Sequence, residues 1–199
     1  MTRSGAHGVF AEGVRALLGV QVGRVAPLAV GDRRVMSGIR KTPVTGRVPV
    51  ARLGLDGDEQ ADLSVHGGLA KAVYAYPIEH YAFWQARRRA NGLPDDLAYG
   101  TFGENLTILG LLEADLFVGD VLRFPDCELR VTQPRRPCYK FAAVMADPQV
   151  VRVMVQTGYC GFYLAVDRPG LIAAGQAFQL VAGPRTTPLM TLFPKADRR

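Results

Sequence analysis

The stretch VLRFPDCELRVTQPRRPCYKFAAVMADP, residues 121–148, decides the fold. Its first half alternates apolar and polar residues around a Pro-Asp pair, so 121–133 reads as a β-hairpin. The chain then changes period. Cys138 to Ala146 reads as a short helix with Phe141, Val144 and Met145 on one face. Asp147-Pro148 suit the cap and first position of a second helix, which Gly158 closes. Further on, GFYLAV (161–166), the turn RPG and AFQLV (177–181) read as closing strands. Toward the N-terminus, NLTIL (105–109) and AVYAY (72–76) are strands. Between them, Pro77 opens a helix over 77–90, with Ile78, Tyr81 and Ala82 on one face, and Asn91-Gly92 stops it. Leu17–Val25, Arg33–Ile39 and Arg47–Leu53 are further strands. GLDGDEQADLSVHGG (54–68) reads as a long ordered loop, and such loops inside compact domains are often working parts.

Many short strands with two or three peripheral helices make an α+β, β-rich barrel, not an alternating βα fold. The 22 glycines and 13 prolines agree, being too many for a helical bundle. Residues 1–16 read as a loose leader, 17–182 as the barrel domain and 183–199 as a tail. With 199 residues, 48% hydrophobic and 21% charged, the chain suits one core. No stretch approaches the ~20 apolar residues of a membrane span. Glu12 and Arg15 interrupt the N-terminus, so it does not read as a signal peptide. Three cysteines, an odd number, fit a reducing cytoplasm. The formal net charge of +6 favours anionic partners, though the arginines fall in groups too short for a nucleic-acid-binding arm.

Common motifs are missing from the sequence: G-x-G-x-x-G, G-x-x-x-x-G-K-[ST], H-E-x-x-H, C-x-x-C and G-x-S-x-G. The acidic run Asp56, Asp58, Glu59, Asp62 lacks calcium-loop spacing and reads as loop structure. PRRPCYK (134–140) stands out. Cys138 sits at a helix start among Arg135, Arg136 and Lys140, and both features favour the thiolate, a soft metal ligand and a nucleophile. Cys127, in the hairpin turn, and Cys160, beside a strand start, read as structural. In VHGG (65–68), Gly67 and Gly68 let a ligand approach the backbone, and His66 is a proton shuttle or a structural histidine. FGEN (102–105) offers Glu104 and Asn105 to a heterocycle edge or to a loop cap. IRKT (39–42) presents Arg40, Lys41 and Thr42 as anion-binding groups or as a solvated strand end.

Taken in order, SGIRKTPV, GLDGDEQADLSVHGG, KAVYAYPIEHYAFW, FGENLT, VGDVLRF and TQPRRPCYK resemble the MOSC domain, named for the C-terminal part of molybdenum-cofactor sulfurases, in its stand-alone YiiM-type form. The resemblance covers roughly residues 35–182. It implies a MOSC-type β-barrel, a molybdenum cofactor (Mo-molybdopterin) and Cys138 as molybdenum ligand. It also implies reduction of N-hydroxylated compounds such as 6-N-hydroxylaminopurine. The resemblance implies a C-terminal helical domain in this type, which is expected to be absent here. Around that centre, Lys41, Thr42, Gly67, Gly68, Asn105, Arg135 and Arg136 are the expected cofactor-binding residues, with His66 or Glu104 as proton donor. No flavin or nicotinamide motif is visible, so electrons come from an external flavoprotein-type donor to a small-molecule substrate. Neither membrane nor nucleic acid is an expected partner, and a homodimer is compatible. The alternative is a sulfur-carrier or cofactor-handling protein that uses a Cys138 persulfide or thiolate without turnover.

Overall fold

Residues 121–134 form the expected hairpin in the computed structural model, which describes residues 13–61 and 67–194. Leu122 faces Leu129 across its two strands, both side chains fully buried, while the ion pair Arg123–Glu128 (2.8 Å) lies nearer solvent. Alternation thus delivers one apolar face to the core, as a period of two requires.

In chain order the elements are β1 (Ala16–Val22), β2 (Ala26–Val30), β3 (Arg33–Ser37), β4 (Thr42–Pro43), β5 (Val48–Ala51), β6 (Gly54–Leu55), β7 (Val73–Pro77), α1 (Tyr81–Ala90) and β8 (Leu106–Leu109). Then follow β9 (Val121–Arg123), β10 (Glu128–Pro134), α2 (Tyr139–Met145), α3 (Val150–Thr157), β11 (Phe162–Arg168), β12 (Gly170–Ile172) and β13 (Gln179–Val181). Eight strands make one sheet in the order β13-β9-β10-β11-β7-β8-β1-β4, mostly antiparallel, with β7 and β8 parallel across the α1 crossover. The sheet curls so that β1 approaches the chain just before β13: Ala16 bridges Ala177, and Leu17 N donates to Gln176 O at 2.9 Å. The class is therefore the β-rich α+β fold expected, with three helices. Among the described residues only this short bridge links β1 to the approach to β13, so the expected barrel is not closed by a continuous ladder.

The sheet separates two apolar clusters, and β7 shows how. Val73 and Ala75 point into the interior of the curled sheet with Leu17, Ile108, Leu129 and Leu164. Tyr74 and Tyr76 point the other way, into an aromatic layer with Trp84, Phe102 and Phe141 beneath the helices. Each fully buried large side chain contributes about 1.5–3 kcal/mol. α1 begins one turn later than the proline suggests, because residues 78–80 form a 3-10 turn first. Gly158, at φ 74°, closes α3 as expected.

The structure departs from the sequence reading in several places. β4, β6 and β12 lie outside the expected strands, and α3 is capped by Gln149, with Asp147 Oδ1 accepting from Gln149 N at 2.8 Å just before it. Ala26–Val30, assigned to no strand, pairs with Arg33–Ser37 in a separate hairpin whose Leu28 is buried. Residues 183–194, read as part of a tail, lie along the body: Leu189 N donates to Leu116 O at 2.8 Å, and its side chain is fully buried. The segment's apolar residues, Leu189, Met190, Leu192 and Phe193, crowd into five positions among prolines and threonines and carry too little periodicity to announce this. Among the described residues, no helix is long and apolar enough to cross a membrane.

Candidate functional site

β10 ends at Pro134, paired with Phe162 of β11, and Arg135 N still reaches Gly161 O at 3.1 Å. That last ladder bond fixes where the strand stops and where PRRPCYK begins. Pro137 carries an extended backbone into Cys138 (φ −130°, ψ 170°), the N-cap residue of α2, whose carbonyl accepts from Phe141 N at 3.0 Å. Cys138 is half-buried and lines an open cleft together with Arg135 and Lys140. The opposite wall comes from Ser37–Ile39, Lys41 and the loop residues Asp58 and Gly67. Tyr74, Tyr163 and Phe102 bring aromatic surface to it.

Arg135 is 5% exposed. Its guanidinium carbon lies 4.9 Å from the Phe141 ring centre and 5.4 Å from that of Tyr74, and Nη1 is 3.5 Å from the Met154 sulfur. Among the described residues, no carboxylate lies within ion-pair distance of it. A guanidinium stays protonated at any working pH, so this buried group offers its charge to whatever occupies the cleft. Tyr163 lies across from Tyr74 in the β11–β7 register, their rings 5.4 Å apart. Burial pushes the Tyr163 phenol above its ordinary range, against the opposing pull of Arg135.

Lys41 is held otherwise. Its ammonium is ion-paired with Asp58, the two side chains being 7% and 3% exposed. Asp58 also accepts from Gly23 N at 2.8 Å and Asn105 Nδ2 at 2.9 Å, while Asn105 Oδ1 accepts from Tyr74 N at 3.1 Å. Asp58, expected only as loop structure, is the pin that ties the long loop to β1 and β8.

The structure thus brings Cys138, Lys41, Gly67, Asn105 and Arg135 together. Thr42 is exposed in β4, Gly68 caps a 3-10 turn, and Arg136 is exposed; none of these three lines the cleft. His66 lies outside the described residues. Glu104 is fully buried off the cleft wall. Its carboxylate accepts from Tyr81 Oη, from Gly100 N (2.6 Å), Phe102 N (3.0 Å) and Thr107 Oγ1 (3.2 Å). Burial pushes this carboxyl above its usual range despite those bonds. The other thiols differ from Cys138. Cys127 is buried and pushed up to about 11 by desolvation, and Cys160 is driven higher by burial with Glu113 adding to it. Tyr74, Tyr163 and Lys140 were not singled out from the sequence as lining residues. The only signal for the two tyrosines was strand alternation, which gives two faces without saying which one is the cleft.

The sequence profile of the MOSC domain matches residues 62–179. YflK of Bacillus subtilis (strain 168) is 38% identical over 167 residues, which is 84% of this chain and 73% of that protein. A protein named reductase from Gibberella moniliformis is 32% identical over 84% of this chain, but this chain spans only 29% of its length. The crystal structure of YiiM from Geobacillus stearothermophilus superposes with a TM-score of 0.66 at 34% identity, covering 84% of this chain and 75% of that one. On the profile, on these identities and on the shared fold, the chain belongs to the MOSC domain family, in the group that includes YflK and YiiM.

Proposed function

We propose that the cleft holds a molybdopterin-bound molybdenum centre and that the protein is a cytoplasmic reductase of N-hydroxylated compounds. The observation that carries the reading is the pairing of Cys138, in an open cleft, with Arg135, a buried cation that has no carboxylate partner among the described residues. The donor set fits. Among the described residues, no cluster of three or more His, Cys, Asp or Glu side chains could hold a metal ion unaided. A centre that brings its own sulfur and oxygen donors needs only one soft ligand from the chain, and Cys138 supplies it. Arg135 would hold the pterin phosphate through charge-assisted hydrogen bonds, with Lys140 beside it on the wall.

When bound, the centre supplies the two-electron couple that takes R–NHOH to R–NH2 and water, the electrons coming from a separate donor protein. The chain's part is to orient the substrate and to protonate the departing hydroxyl oxygen. Tyr74, Phe102 and Tyr163 offer flat surfaces to a heterocycle. For the proton, His66 and Glu104 stand as the two candidates. Glu104 itself is buried off the cleft wall, but Gly103 and Asn105, which flank it in sequence, line the cleft.

The test is expression in a host that makes the cofactor, followed by molybdenum and pterin analysis of the purified protein. Wild type is expected to carry both near one per chain. Cys138→Ala loses the metal, while Cys127→Ala and Cys160→Ala keep it. Equal molybdenum in wild type and Cys138→Ala overturns the ligand assignment. Loaded protein that leaves 6-N-hydroxylaminopurine untouched under an artificial reductant favours the cofactor-handling role instead.

A further inference from the structure

Behind the cleft, on the far side of Tyr74, lies a buried acid–imidazole pair that the proposed chemistry does not use. Glu113 and His80 are 3% and 5% exposed, and His80 Nε2 lies 2.8 Å from Glu113 Oε2. The other carboxylate oxygen, Oε1, accepts two consecutive backbone amides, Cys160 N at 3.0 Å and Gly161 N at 2.6 Å. The His80 ring stacks on Tyr159, centres 4.0 Å apart and 12° from parallel. Together the pair grips residues 159–161 by ring, amide and amide.

Each of those three residues has its carbonyl taken up by a neighbouring group. Tyr159 O accepts from Tyr76 Oη at 3.0 Å, Cys160 O from Tyr74 Oη at 2.8 Å, and Gly161 O from Arg135 N at 3.1 Å. Gly161 has φ 65°, and a Cβ there would lie 2.4 Å from Ala75 O, so the turn is pressed flat on β7. Tyr74 in turn carries the Arg135 guanidinium on its ring. No carboxylate grips that guanidinium directly, so its place is set by its backbone and by the rings beside it. The Arg135 backbone, through Gly161 O, and the Tyr74 ring, through Cys160 O, are anchored on the turn that Glu113 holds, while the Phe141 ring is carried by α2.

We propose that Glu113, oriented by His80, is a positioning residue for Arg135: it fixes the 159–161 turn and thereby aims the guanidinium into the cleft. The inference rests on the reading above that Arg135 holds an anionic group of the cofactor. A carboxylate buried this deeply is costly unless every lone pair is used, and here both oxygens are occupied.

The experiment is a double-mutant cycle on the full chain produced in a host that makes the cofactor. Wild type, E113A, R135A and E113A/R135A are scored for pterin retained per chain after gel filtration and for melting temperature. E113Q is the conservative variant, because an amide oxygen can still accept both backbone N–H groups and its NH2 can donate to His80 Nε2 when the ring takes the tautomer with its proton on Nδ1. Expected is a loss in E113A close to that in R135A, about tenfold in pterin affinity, the scale of one charge-assisted hydrogen bond. The double variant should lose no more than R135A alone, and E113Q should recover most of the loss. Additive losses that follow the melting temperature would make Glu113 merely structural and overturn the proposal. Should E113A not fold, E113Q and H80F are read by the Arg135 Nε–Hε resonance in 15N-labelled protein. In H80F it shifts and exchanges faster with solvent if the turn aims Arg135; an unchanged resonance overturns the proposal. That readout needs no cofactor, so a wild type without pterin defeats the functional reading and leaves this test intact.

Discussion

Two buried cations face one cleft, and the chain holds them in opposite ways. Lys41 sits in a closed polar corner, its ammonium on Asp58, with Asn105 and Gly23 N filling the carboxylate's remaining positions. Arg135 lies on the Tyr74 and Phe141 rings beside the Met154 sulfur, with no opposing carboxylate among the described residues. The first arrangement spends its charge inside the protein and fastens a loop. The second leaves its charge available to a ligand. Proximity to a cleft therefore does not make a cation a binding group; what matters is whether its charge is already answered.

The largest expected effect lies at the closed corner. Asp58→Ala strands the Lys41 ammonium and unpins the long loop from β1 and β8. Removing one partner of a buried pair costs about 3–5 kcal/mol. For a domain of this size each kcal/mol is worth about 2–4 °C, so thermal unfolding should show a drop of roughly 10 °C. A drop of only a degree or two would mean that Lys41 finds water, and the contrast between the two corners would collapse.

At the open corner the expected sign is different. Arg135→Met puts an apolar side chain of similar length against Tyr74, Phe141 and Met154. Replacing a buried charge with a well-packed hydrophobe is commonly neutral or stabilising. The melting temperature should hold or rise, while pterin content falls sharply. A variant that unfolds like Asp58→Ala would show that Arg135 is a structural cation like Lys41, and its role as ligand holder would go with it.

Much of this was legible in sequence, and the part that was not has a physical cause. Local signals were sufficient for the 121–134 hairpin, for the helix after Cys138 and for the Gly158 stop, because alternation, turn chemistry and capping act over a few residues. The Cys138 environment was also local, since its basic neighbours are adjacent in the chain. Asp58 was read as loop structure because its partners Lys41 and Asn105 stand 17 and 47 positions away. Only the curl of the sheet brings them together. Ala26–Val30 escaped notice because APLAV is apolar at every position and so shows no alternation, although only Leu28 is buried. Glu113 and His80 gave no sign at all, 33 positions apart on separate 3-10 turns.

The smallest expected effect concerns the residue that sequence alone could not tell from Arg135. Arg136 is its immediate neighbour with the same charge, and both stood as cofactor-binding residues on that ground. The structure separates them: Arg135 turns inward onto the rings, whereas Arg136 is exposed and off the cleft wall. An exposed charge acts through water and is screened by salt within about 10 Å at ordinary ionic strength, so its pull on a phosphate inside the cleft is weak. Arg136→Ala should change melting temperature by no more than about one to two degrees, in keeping with the ~0.5 kcal/mol of most surface substitutions. Pterin retention should fall by less than about threefold, and that difference should vanish as salt is raised. Pterin retention measured at low and high salt for Arg135→Ala and Arg136→Ala side by side gives the comparison. If the Arg136 variant loses as much as the Arg135 variant, and does so at high salt, the anion is held at the mouth of the cleft rather than within it. The buried guanidinium would then be a feature of the core, and the division between a charge spent inside and a charge offered outward would have to be drawn one residue later.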